Sequence, residues 1–331
     1  VSFKSPGKKD PDLQFSRFAH RADAERIAAV VARVTGWLRL AETAPAERKL
    51  AVVLSTYPGR AHQMAHAVGM DALASTEALL DALADAGHVT GHAAQLAPVL
   101  TAQTIAWPLA DYLAALETLP ASLREVLAAA WGAPSDDPAC TDGTFRFPAV
   151  TRGNVLVALQ PERGEVALRD GEYHDLSRTP RHGYVAFYLW LRSQGLHALV
   201  HMGAHGTLEW LPGKSVALSP DCWPEALIGH VPVIYPFIVN DPGEAAQAKR
   251  RIGALTLGHL PPPLARASLP EGMHRLERLL DEYSTADGLD PARRDRLSEA
   301  ERERPEGGRS WNRRARRLQG QLIARWAGLY A

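Results

Sequence analysis

Ala198-Leu-Val200-His201-Met-Gly-Ala-His205-Gly-Thr-Leu-Glu209-Trp210-Leu-Pro212-Gly213-Lys214 is the stretch on which the reading of this chain turns. Ala198-Leu-Val200 is an apolar run of the kind a short buried strand shows. His201, His205 and Glu209 follow at four-residue intervals, with two glycines among them to free the backbone. Packing alone is a poor reason for so many metal-capable and proton-capable groups together. They fall just past the carboxyl end of the expected strand, where α/β proteins place their chemistry.

Working outward, Tyr184, Phe187, Tyr188 and Leu191 form one apolar helical face before this strand, and Asn154-Val-Leu-Val-Ala-Leu159 is an earlier strand. Beyond the motif, Val231 to Val239 is extended, and Pro232 and Pro236 predict an edge or irregular strand. A helix is expected over 242–255. In the first half, Ile27, Val30, Val31, Val34 and Leu38 have helical spacing, so residues 21–40 read as an amphipathic helix. Lys49-Leu-Ala-Val-Val-Leu54 is a buried strand ending in the turn Ser55-Thr-Tyr-Pro58-Gly59-Arg60, with helices to follow near 74–86 and 110–131. Alternating strands and helices predict an α/β fold: two α/β units with largely parallel sheets and flanking helices. The expected divisions are a helical lead-in (1–46), a first unit (47–133), a linker (134–147), a second unit carrying the motif (148–265) and a helical or disordered tail (266–331).

The length of 331 residues suits about two domains, and 46% hydrophobic residues are enough for a core. Lys plus Arg equals Asp plus Glu at 37 each, which argues against a general nucleic-acid binder. Cys140 and Cys222 lie far apart with no Cys-x-x-Cys pair, so a thiolate zinc or redox motif is not expected and a reducing, cytoplasmic setting is. No apolar run has the length of a membrane span. The first residues carry no signal-peptide pattern and no initiating Met, so a piece of a longer protein is expected.

Neutral imidazole and carboxylate at His201, His205 and Glu209 suit Co²⁺ or Zn²⁺. The same groups can accept protons, or simply hydrogen-bond within a turn. The His-Glu-x-x-His protease order is absent, because Glu209 follows the second histidine. Gly213-Lys214-Ser215 imitates a phosphate loop, but Leu208 stands where that loop needs its first glycine. Lys214 is left as an anion contact or a solvated turn residue. Asp241-Pro242-Gly243-Glu244 is a helix start, with Asp241 as cap; Glu244 can serve both cap and site. Lys249-Arg250-Arg251 offers cations for carboxylates or a solvated face. His174, His182, Tyr57, Arg60, His62 and His66 lie in flanking turns and are weaker candidates.

His201 through Lys214, Tyr235-Pro236-Phe-Ile-Val-Asn240-Asp-Pro-Gly-Glu244 and Gln247-Ala-Lys-Arg-Arg251 resemble the family of aerobic cobaltochelatase large subunits (CobN type) and magnesium chelatase H subunits. Further matches are Arg48 to Arg60, Gly153-Asn-Val, Tyr173-His174-Asp175, His182 to Trp190 and His259-Leu-Pro-Pro-Pro263. The resemblance covers roughly residues 1–290 and implies a fragment or shortened homologue, because the family's large subunits are several-fold longer. Ala204 stands where the family commonly has Lys, and the Arg-rich tail departs from the pattern.

The resemblance implies ATP-dependent insertion of Co²⁺ into a tetrapyrrole, a corrin precursor of the hydrogenobyrinic acid a,c-diamide type, in cobalamin biosynthesis. It implies His201, His205 and Glu209 as metal ligands, with Glu209, His205 and Glu244 as catalytic groups. Lys214, Lys249, Arg251, His182, Tyr57 and Arg60 are the implied tetrapyrrole contacts. ATP is expected on partners, an AAA+ ATPase subunit and its companion, rather than here. The alternatives are a non-catalytic tetrapyrrole-binding or scaffolding module, a magnesium chelatase H-like subunit, and, with least support, an ordinary metallohydrolase.

Overall fold

A computed structural model describes residues 2–12, 15–55, 65–67, 70–91, 95–164, 176–203, 206–237, 242–258 and 282. All but Glu282 belong to one unit, Val1–His259. The elements are β1 (Ser2–Asp10), β2 (Phe15–Ala22), α1 (Ala24–Glu42), β3 (Leu50–Leu54), β4 (His66–Ala67), β5 (Met70–Asp71), α2 (Ala72–Asp85), α3 (Leu96–Ala102), β6 (Thr104–Pro108), α4 (Leu109–Leu116) and α5 (Ala121–Trp131). They continue with β7 (Cys140–Thr141), β8 (Thr144–Arg152), β9 (Val155–Leu159), α6 (His182–Ser193), β10 (Ala198–Met202), α7 (Trp223–Ile228), β11 (Val233–Phe237), α8 (Pro242–Gln247) and β12 (Leu255–Gly258). A single π-helical turn, Ala248–Ile252, extends α8.

The main sheet runs β12-β11-β10-β3-β9-β8-β6, with β7 against β8. From β12 to β9 every pair is parallel; β8 pairs antiparallel with both β9 and β6. The α/β expectation holds, with an antiparallel extension at one side. Strands from residues 47–133 and 148–265 are hydrogen-bonded into the same sheet, since β3 lies between β9 and β10.

Among the five parallel strands, β3 comes first in the chain; β9 lies on one side of it and β10, β11 and β12 on the other. This is the 2-1-3-4-5 order of flavodoxin-like sheets, and its switch point lies where β3 and β10 end. Ser55, just past β3, donates its N–H to the carbonyl of Met202 at the end of β10 (3.2 Å).

Both faces of the sheet are covered, as parallel sheets require. Ala51, Val53, Leu156, Ala158, Leu199 and Tyr235 share one apolar cluster with α4 to α7. Leu50, Val52, Leu54, Val157, Val200 and Met202 share the other with α2 and α3. All five residues of β3 are buried, so its sequence is a continuous apolar run rather than an alternation.

Several details depart from the sequence expectations. Residues 134–147, expected as a linker, carry β7 and the start of β8, and Phe145 and Phe147 lie in the core. Their Pro, Asp and Gly residues mark turns within an antiparallel ribbon. The helix expected near 110–131 is two, α4 and α5, divided before Pro120. Helix α6 has no single apolar face, because every residue from His182 to Leu191 is buried. β11 lies inside the sheet despite its proline. Its ladder to β10 stops at Ile234, short of Pro236, so no bond to β10 is lost there.

The lead-in expected to be helical over 1–46 opens instead as an antiparallel hairpin of β1 and β2, where Pro6 and Gly7 disfavour a helix; helix α1 follows, with Asp23 capping the N–H of Arg26 (3.1 Å). Its aliphatic row, however, faces outward: Ile27, Val30, Val31, Val34 and Leu38 are 41–56% exposed. Arginines hold the helix instead. Arg26 donates to the carbonyl of Leu218 (2.5 Å) and to Glu225 (2.6 Å), and Arg39 donates to the carbonyl of Leu196 (2.6 Å). Gly36 allows the close approach, since a Cβ there would sit 2.6 Å from the carbonyl oxygen of His230.

Candidate functional site

His201 is the fourth residue of β10 and is fully buried. Alternation along the strand puts it on the same face as Leu199, toward Tyr235 of β11. The two rings meet edge to face, with centroids 4.7 Å apart. Neither ring nitrogen of His201 has a hydrogen-bond partner among the described residues. Burial pushes the imidazole pKa down to about 3, so the ring is neutral at ordinary pH. A neutral imidazole with unengaged nitrogens is the form that binds a metal or takes up a proton. Buried polar nitrogens without partners are uncommon and point to a role.

Glu209 enters from the other side, in a 3₁₀ turn over Leu208–Trp210, and is also fully buried. The Tyr235 hydroxyl donates to its Oε1 (3.1 Å). The same hydroxyl accepts the N–H of Gly206 (2.8 Å). Gly206 is the point where the two groups converge. A Cβ there would lie 2.7 Å from both carboxylate oxygens of Glu209 and 2.9 Å from Cε1 of His201. Only glycine lets carboxylate and imidazole share that space. The next residue, Thr207, is tied through Oγ1 to the Tyr184 hydroxyl (2.8 Å), which accepts from Gln160 (3.0 Å). Burial raises the Tyr184 hydroxyl well above its ordinary pKa, so it remains protonated.

Glu244, in the first turn of α8, is nearly fully buried and accepts the indole N–H of Trp210 (2.7 Å). The structure therefore brings Glu244 to the turn that carries Glu209. Arg251 follows in the π-helical turn and is 1% exposed. It donates to the carbonyls of Glu209 (2.6 Å) and Lys214 (3.1 Å), so it clamps the turn rather than facing solvent. Burial lowers its pKa, while Cys222 and Glu209 act the other way.

Lys214 and Lys249 are exposed. The ring of His182, at the start of α6, is engaged on both sides, by the Tyr112 hydroxyl (2.7 Å) and the Gly132 carbonyl (3.1 Å). Burial lowers its pKa. His205, Ala204, Tyr57, Arg60, His62, His174 and Asp241 lie outside the described residues. Among the described residues no group of three or more His, Cys, Asp or Glu stands together as a metal centre. None of their helices is long and apolar enough to cross a membrane.

Tyr235, Gly206 and Trp210 were not singled out from sequence as site residues. Tyr235 left one signal, a hydroxyl at the position two past Val233 in a strand expected to be apolar.

The sheet makes this chain an α/β protein of the doubly wound class, in which ligands bind beyond the carboxyl ends of the strands, and the buried imidazole and carboxylate lie at that end. The family model described as CobN/Magnesium Chelatase matches residues 1–304, and the chain belongs to that family. It is 40% identical over 309 residues to the aerobic cobaltochelatase subunit CobN of Sinorhizobium sp, a match covering 88% of this chain and 24% of the relative. It is 31% identical over 298 residues to the magnesium-chelatase H subunit of Rhodobacter capsulatus, covering 86% and 25%. The structure of the catalytic subunit of cobaltochelatase from Mycobacterium tuberculosis superposes with a TM-score of 0.70 at 37% identity, covering 90% of this chain and 26% of that one. The chain thus spans about a quarter of the length of these relatives.

Proposed function

We propose that this chain is the metal- and tetrapyrrole-handling part of a cobaltochelatase, which inserts Co²⁺ into a corrin precursor of the hydrogenobyrinic acid a,c-diamide type during cobalamin biosynthesis. The observation that carries this reading is the pair at Gly206: a neutral, buried imidazole with unengaged nitrogens, facing a buried carboxylate. Insertion of a divalent metal releases two pyrrole protons, so the reaction needs both a metal-holding group and a base. His201, His205 and Glu209 would deliver Co²⁺, and Glu209 and Glu244 would take protons. Lys214 and Lys249, both exposed, would pair with acidic side groups of the macrocycle, with Tyr57 and Arg60 alongside. Arg251, which donates through Nε and Nη1 to two backbone carbonyls, and His182, whose ring is engaged on both sides, support the scaffold in this reading. ATP would be used by an AAA+ partner and its companion subunit. Cobalt is favoured over magnesium because identity to the CobN relatives is 40% over 88% and 90% of this chain, whereas the magnesium-chelatase H subunit of R. capsulatus reaches 31% over 86% and that of Cereibacter sphaeroides 42% over only 40%.

The test is metal insertion by the assembled chelatase, followed through the absorption change of the tetrapyrrole, with His201→Ala and Glu209→Gln in this chain. Loss of about a hundred-fold or more is expected for each, the scale of removing a proton-transfer group. Unchanged insertion in both variants would overturn the assignment.

A further inference from the structure

The geometry points to Tyr235 as a positioning residue that holds the Glu209 carboxylate and the His201 ring in register. This inference rests on the proposed role of that pair. Tyr235 comes from a different strand, β11, and is completely buried. It touches all three parts of the motif. Its hydroxyl donates to Glu209 Oε1, the same oxygen atom accepts the Gly206 N–H, and its ring packs edge-on against His201.

Each contact removes a different freedom. The Gly206 N–H fixes the hydroxyl oxygen, which leaves the phenol proton directed at Glu209. That bond orients a carboxylate whose turn is only one 3₁₀ turn long. The ring edge limits rotation of an imidazole that has no hydrogen bond of its own among the described residues. Groups that orient metal ligands in this way are worth about 10- to 100-fold in metal affinity or activity.

The decisive variant is Tyr235→Phe, which keeps the ring and its contact with His201 and deletes only the hydroxyl. Two readouts are needed. Titration of the full chain with Co²⁺ alone, followed by the visible ligand-field absorption, reports ligand geometry. Insertion kinetics in the assembled chelatase report turnover. The expected result is weaker Co²⁺ binding by about ten-fold or more, an altered Co²⁺ spectrum, and a fall in kcat with little change in KM for the tetrapyrrole. Glu209→Gln, run in parallel, separates the two claims. If Glu209→Gln abolishes insertion while Tyr235→Phe matches the parent in spectrum and kcat, the positioning role is wrong and the site reading stands. If Glu209→Gln is itself silent, the site reading fails first. Should Tyr235→Phe melt lower, Tyr184→Phe serves as the control. It removes the other buried hydroxyl bonded to this turn without touching Glu209, and is expected to leave the Co²⁺ spectrum unaltered.

Discussion

The carboxyl edge of the sheet and helix α1 break the same rule in opposite directions. At the edge, His201, Glu209, Glu244 and Arg251 are polar and buried. On α1, Ile27, Val30, Val31, Val34 and Leu38 are apolar and exposed. The two departures differ in cost. Exposed aliphatic side chains forgo a gain, whereas a buried charge without partners costs several kcal/mol. The edge holds its ionisable carboxylates with specific donors, Tyr235 for Glu209 and Trp210 for Glu244, ties Arg251 to two carbonyls, and leaves His201 uncharged. Helix α1 needs no such precision and is held by arginine donors and the close contact at Gly36.

The sharpest way to break this contrast is Arg251→Met. The guanidinium donates to two carbonyls of the 209–214 turn, and methionine donates to neither. Charged hydrogen bonds are worth about 1.5–3 kcal/mol each, so a loss of about 3 kcal/mol or more is expected in urea unfolding. A loss under about 1 kcal/mol would mean that the turn does not depend on its clamp.

The next effect is pH dependence. Burial holds the His201 pKa at about 3, below the ordinary value near 6.5, so the unfolded chain binds its proton more readily than the native state does. Stability from this group is complete above about pH 6.5 and is lost progressively as pH falls toward 3. His182 is lowered in the same sense, chiefly by burial. Asp137 acts at lower pH. Burial pushes its pKa up, but Arg181, Ala139 and Gly183 outweigh that and hold it down. Its contribution is present above the unfolded value, about 3.9, and disappears as pH falls through the folded one. Melting followed from pH 7 to pH 5 is expected to show a fall of about 2 kcal/mol from His201 alone. His201→Phe, which can keep an edge contact with Tyr235, should flatten that slope. An unchanged slope would show that His201 does not stay neutral in the native state.

Much of this architecture is legible in the sequence, and the reasons for the gaps are physical. The strands β3 and β9 are continuous apolar runs, β10 opens with another, Ala198-Leu-Val200, and position alone puts His201 at the carboxyl end of that run. That β3 lies between β9 and β10, and so creates the switch point, is a long-range fact no local pattern records. Convergence of His201 and Glu209 on Gly206 is likewise hidden, because it depends on a turn. In Lys249-Arg250-Arg251 three cations in succession have no period from which to choose the inward one; the π-helical turn buries Arg251 and leaves the other two exposed. The spacing on α1 gives a helix correctly. It does not say which face turns inward, since two arginines and a glycine outweigh five aliphatic side chains.

The smallest expected effect is the most telling about α1. Val31→Ser and Val34→Ser change side chains that are 56% and 53% exposed. Surface substitutions away from specific contacts stay within about 0.5 kcal/mol, and serine is close to valine in helix propensity. Each variant should therefore leave the urea midpoint almost where it was. Val53→Ala, on fully buried β3, provides the scale, with an expected loss of about 1–3 kcal/mol from deleted core methyl groups. If Val31→Ser or Val34→Ser approached that loss, the aliphatic row would have to be covered in solution, and the contrast between a precisely held edge and a loosely held helix would fail.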